Sequence, residues 1–95
     1  MKMFVVVRKD LSIEQQAVQA GHALAEFMLN NSTEWKNGTL IYLGVPDLDS
    51  LEECAFNLAR KGVKFQTFRE PDMGDQMTAL ASLGNDHMFK KYNLL

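Results

Sequence analysis

The chain has 95 residues, of which 46% are apolar and 23% charged, the composition of one soluble globular domain spanning 1–95 rather than of a disordered or fibrous chain. A net charge of −2 lacks the basic balance by which nucleic-acid binders usually announce themselves, although Arg8-Lys9, Arg60-Lys61 with Lys64, Arg69 and Lys90-Lys91 would form a local cationic patch if folding brought them together. No run approaches the roughly 20 apolar residues that cross a bilayer. The apolar run Met3–Val7 is shorter than a secretory core, so a cytoplasmic location without a membrane partner is the default expectation.

In chain order, "MFVVVR" is β-branched and almost continuously apolar, as in a strand buried on both faces. "DLSIEQQAVQAGHALAEFML" reads as a helix. Ser12 is its N-cap, Gln15 completes a capping box, and the apolar stripe is Ile13, Ala17, Ala20, Leu24, Phe27 and Met28. Asn30-Asn31-Ser32 ends this helix, and Gly21 inside it implies close packing or a nearby ligand.

"GTLIYLGV" is a second strand. Asp49 caps a second helix, "SLEECAFNLARKG", with Glu52 as its box partner, Leu51, Cys54, Ala55 and Leu58 buried, and Gly62 as a left-handed terminator. "VKFQTF" and "MTALASL" are strands three and four, joined by a loop of about eight residues, and the tail "GNDHMFKKYNLL" is a short helix or an extended arm. The order β-α-β-α-β-β predicts an α/β fold: a small mixed four-stranded sheet with helices packed on it. So small a domain holds a modest core, and pairing into a homodimer is a natural way to cover more apolar area.

Two places gather polar groups. Gln15, Gln19, His22 and Glu26 recur at four, three and four residues, which sets them on one helix face; that face is either plainly solvated or a row of hydrogen-bonding groups at a site. Arg8-Lys9-Asp10 follows strand one, and Glu70-Pro71-Asp72 follows strand three. If those strands run parallel, both segments leave the sheet at one edge, where ligands of α/β folds collect. Pro71 and Gly74 serve a tight turn whether or not chemistry happens there. His22 and His87 have no metal-ligand spacing, Cys54 is a buried thiol that forms no internal disulfide, and no Gly-rich phosphate loop occurs, so neither metal nor cofactor is expected.

Four collinear segments, "FVVVRKDL", "AVQAGHA", "VPD" leading into a helix, and an Asp-x-Gly loop before a strand ending in "LG", resemble the type-two peptidyl-tRNA hydrolases of archaeal and eukaryotic type. The likeness places Arg8, Asp10 and Leu11 on the family's strand-one motif, Gln19, His22 and Ala23 on its helix motif, and Asp72 and Gly74 on its Asp-x-Gly. Asp72 then stands for the catalytic aspartate, and Thr78 for a threonine further along the loop. Gln15 stands where the family has a lysine implicated in catalysis, and Lys9 is the nearest replacement cation. The resemblance implies cofactor-free hydrolysis of the peptidyl-tRNA ester by a water that Asp72 orients, with Lys9 or backbone N–H groups at the start of the helix stabilising the oxyanion. His22 and Gln19 support the site, and Arg8, Asp10, Gln15, Gly74 and Thr78 complete the substrate surface. The alternative it allows is an inactive module of the same fold that holds tRNA or a protein partner.

Overall fold

β1 (Lys2–Arg8) lies at the middle of the sheet, with Met3 through Arg8 all buried. Its side chains alternate between two cores. Phe4 and Val6 join the cluster beneath the second helix, whereas Met3, Val5 and Val7 join the cluster beneath the first. This is why the run carries no polar alternation.

The computed structural model describes all residues 1–95. After β1 come α1 (Ile13–Asn30), β2 (Leu40–Val45), α2 (Leu48–Arg60), β3 (Phe65–Glu70), a single 3₁₀ turn (Pro71–Met73), β4 (Gln76–Gly84), α3 (Asp86–Phe89) and β5 (Asn93–Leu94). The sheet has five strands in the order β3-β4-β1-β2-β5, not four, because the end of the tail adds an edge strand antiparallel to β2. β1 and β2 are parallel, and β4 sits between β1 and β3, antiparallel to both. β1 and β3 therefore point the same way. α1 covers one face and α2 the other, and no helix is long and apolar enough to cross a membrane.

The helices correct the sequence reading in detail. Ser12 caps α1 by accepting from the Gln15 N–H at 3.2 Å, but the Gln15 side chain turns to Gln19 rather than back to the cap, so the box is half made. The inward face of α1 is Gln19, Ala20, Ala23 and Phe27, with Leu24 half-buried beside them; Ile13, Ala17 and Met28 lie outside. The face is rotated because Gln19, a polar residue, is drawn inside by partners on the sheet. Gly21 is exposed, with nothing within 4 Å of where a Cβ would stand, so packing within the chain does not require it.

α2 starts earlier than expected. Asp47, not Asp49, is its cap, accepting from the Ser50 N–H at 2.9 Å, and the chain leaves through Gly62 at φ +71. Leu51, Cys54, Ala55 and Leu58 are buried as anticipated. The tail is both helix and arm: Phe89 of α3 stacks on Phe4 with centroids 4.3 Å apart, and β5 then pairs with β2.

Candidate active site

Glu70 ends β3, Arg8 ends β1 and Gln76 begins β4, so all three reach the same rim of the sheet. The two polar segments share that rim, but β4 stands between them, and the bonds of the first go to β4 and not to Glu70-Pro71-Asp72. The Arg8 Nη1 donates to Gln76 Oε1 at 2.9 Å and to the Met77 carbonyl at 3.1 Å. Between Glu70 and Gln76 only Pro71–Asp75 form a loop, shorter than the predicted eight residues. Gly74 at φ +65 and Asp75 at φ +60 are consecutive left-handed residues, and the Asp75 N–H closes the loop on the Glu70 carbonyl at 3.0 Å. Glycine at 74 relieves one of the two positions of their steric cost.

Alternation divides this rim between two faces. On the α1 face, Gln19 is fully buried at the centre of a hydrogen-bond network. Its Nε2 donates to Glu70 Oε1 at 2.8 Å and to Gln15 Oε1 at 3.1 Å, while its Oε1 accepts from the Thr78 hydroxyl at 2.7 Å. A buried amide is tolerable only when its donors and acceptor are met, and here both N–H groups and the carbonyl are engaged.

Thr78 reaches Gln19 through a fault in the ladder. Phe68 pairs with Ala79 and Arg69 with Met77, so Thr78 is the surplus residue of a β-bulge. Regular alternation would send Met77 and Ala79 to one face. The bulge instead sends Met77 into the α2 core while Ala79 joins the α1 core, and it leaves Thr78 aimed at Gln19. One turn after Gln19, His22 lies flat on Phe68, centroids 4.5 Å apart and rings 8° from parallel, with its outer side exposed.

On the α2 face, the buried Arg8 guanidinium grips Asp10 with both arms, Nε to Oδ1 at 3.0 Å and Nη2 to Oδ2 at 2.9 Å. This hydrogen-bonded pairing holds the Asp10 carboxyl below the usual carboxylate range and raises the Arg8 guanidinium above its own ordinary value, with Asp47 and Glu52 adding to the latter. The pair fastens the end of β1 to the start of β4.

The structure thus brings together Gln15, Gln19 and Thr78, stands His22 beside them on Phe68, and sets Arg8 and Asp10 apart as a clamp. Lys9 does not join the network. Its stem lies across Gly44 on β2, where a Cβ would fall 2.6 Å from Lys9 Cδ. Three strand spacings, about 14 Å, separate that position from Glu70 on β3. Gly74 shapes the loop. Asp72 is exposed, and its carboxylate takes no part in these bonds, although its N–H donates to Glu70 Oε2 at 3.4 Å. Glu26 turns to Asn30 at the far end of α1.

Sequence reading named Glu70 only as part of the segment with Pro71 and Asp72 and did not foresee its bond to Gln19. Its position at the very end of β3, on the same side as Phe68 two residues before it, was the available signal.

The family described as peptidyl-tRNA hydrolase PTH2 matches residues 1–84. The chain belongs to that family. The match spans every residue of the Gln19 network and stops at Gly84, before α3 and β5. No curated protein matches the sequence. Among solved structures, the chain is similar to a protein of unknown function, Atu0240, from Agrobacterium tumefaciens strain C58, with a TM-score of 0.73 and 11% identity over 99% of this chain and 96% of that one. At that identity the likeness establishes fold alone.

Proposed function

We propose that this chain hydrolyses the ester joining a peptide to the ribose of tRNA, using a water oriented by the acidic loop that leaves β3. Family membership supports peptidyl-tRNA hydrolase activity in general. The observation that carries the finer reading is the buried Gln19, which fixes Glu70 from one side and is itself fixed by Thr78. Gln19 holds Glu70 through Oε1, and Oε2, met by the Asp72 N–H at 3.4 Å, keeps a lone pair for a water; the exposed Asp72 carboxylate stands two residues on.

In this mechanism the water oxygen attacks the ester carbonyl carbon as its proton passes to the carboxylate. The tetrahedral oxyanion is met by unpaired N–H groups in the first turn of α1, because Lys9 lies across β2. Collapse expels the ribose oxygen, which recovers the proton. The exposed side of His22, held flat by Phe68, offers a stacking surface for a base at the tRNA terminus.

The test is single-turnover cleavage of purified peptidyl-tRNA by the wild type, Glu70→Gln and Asp72→Asn. Loss of general-base assistance lowers the rate by roughly 10²–10⁴-fold. Glu70→Gln is expected to fall in that range and Asp72→Asn well short of it; the reverse order would return the water to Asp72.

One observation favours a second reading. Gln15 occupies the place of the family's lysine and no side-chain cation enters the network, as befits a module that binds tRNA without turnover. An inactive wild type that still binds tRNA, with affinity falling steeply as salt rises, would establish that reading instead.

A further inference from the structure

A concentration of positive charge lies away from this site. A cavity of about 440 Å³ opens between the second half of α2 and the segment from α3 to Tyr92. Lys61, Lys90, Lys91 and His87 line it, none of its nine lining residues is acidic, and three of the chain's ten Lys and Arg side chains converge there in a molecule of net charge −2. The volume falls within the range of small-ligand sites, about 300–1,000 Å³. Its floor is apolar, made by Leu58, Met88 and the buried thiol of Cys54. The Tyr92 hydroxyl stands beside the Cys54 thiol and the Asn57 amide. Glu53 is the one carboxylate felt there, and it lies outside the lining.

The cavity is diagonal to the Gln19 network. α2 starts at the rim where Arg8 and Glu70 end and runs back to the other rim, and α3 follows the far end of β4. The nine residues of β4 put about 27 Å between the two ends. The cavity also opens on the α2 side of the sheet, and five of its nine lining residues lie beyond Gly84, where the family match stops.

We propose that this cavity binds a phosphoryl group carried on a flat organic body, either a free mononucleotide or the phosphorylated end of an RNA. The ammonium groups of Lys61, Lys90 and Lys91 hold the phosphate at the mouth, and the apolar floor takes the body. The ligand leaves the rim site open, so both can be filled at once.

The experiment is a titration of ¹⁵N-labelled wild type and of a Lys61→Ala/Lys91→Ala variant with inorganic phosphate, AMP and a 5′-phosphorylated RNA hexamer, followed by amide shifts. Expected are shifts confined to residues 54–61 and 87–92, AMP or the phosphorylated hexamer binding more tightly than inorganic phosphate, and at least about tenfold weaker binding to the variant. Tighter AMP than hexamer identifies the free nucleotide as the source, and the reverse identifies the RNA end. Shifts centred on α1 or on the Glu70–Gln76 loop, an unphosphorylated hexamer acting as well as the phosphorylated one, or unchanged affinity in the variant would each overturn the proposal. The wild-type shift map decides the location even if the variant is impaired.

Discussion

Replacing Thr78 with valine changes shape very little and removes one hydroxyl. That hydroxyl is the only group meeting the Gln19 carbonyl, 2.7 Å away, and both side chains are fully buried. Stranding a buried acceptor costs about 1–3 kcal/mol. For a domain of this size each kcal/mol moves the melting midpoint by about 4–8 °C, so a loss near 2 kcal/mol corresponds to a drop of about 8–16 °C. Thermal unfolding followed by circular dichroism reads this directly. Coupling gives a second reading: in Gln19→Leu/Thr78→Val the acceptor is gone as well, so the double variant should be less destabilised than the sum of the singles by about 1 kcal/mol. A Thr78→Val midpoint within about 2 °C of wild type, or strict additivity in the cycle, would refute the view that this bond holds Gln19 in place.

Gly21→Ala should raise stability by about 0.5–1 kcal/mol, measured by urea unfolding, because the position is helical, exposed and empty around the missing Cβ; no gain would mean that the face is covered in solution. The Asp10 carboxyl titrates lower in the folded chain than in the unfolded one. Its contribution is therefore complete above about pH 5 and lost as pH falls through about 3.9 and on through the folded value. With Asp10 well exposed, Asp10→Asn should cost about 1 kcal/mol at neutral pH, and the difference should shrink as pH falls below the unfolded value; a difference that stays constant there would remove the ion pair as its cause. Burial pushes the Cys54 thiol up, so a thiol reagent at pH 8 should label native protein only as fast as it opens, and rapid labelling at the rate of a free thiol would contradict its buried position.

Much of the architecture was readable because local signals and tertiary demands agree. The apolar run of β1, the inward residues of α2 and the left-handed exit at Gly62 each serve the fold in the way their chemistry suggests. That the ends of β1 and β3 share one rim followed from strand direction alone. Three things were hidden. The orientation of α1 was misread because hydrophobicity places Gln19 outside, and only the side chains of Glu70 and Thr78, distant along the chain, make its burial possible. The bond from Gln19 to Glu70 was hidden because the family likeness drew attention to Asp72, which stands two residues on and is exposed. The splitting of Arg8 from Lys9 onto opposite faces needed only the two-residue period of a strand, and Gly44 then marks where the lysine stem passes.

The surplus residue in β4 makes this strand more sensitive to length than to identity. With one residue too many against β3, the strand keeps two different phases, one toward the rim and one toward the centre. Excising Thr78 would merge those phases, leaving the methionine in the α2 core and severing the glutamine from its anchor. Many point replacements nearby would leave the phasing intact. Variation by substitution is thus open to this segment, while variation by deletion is closed.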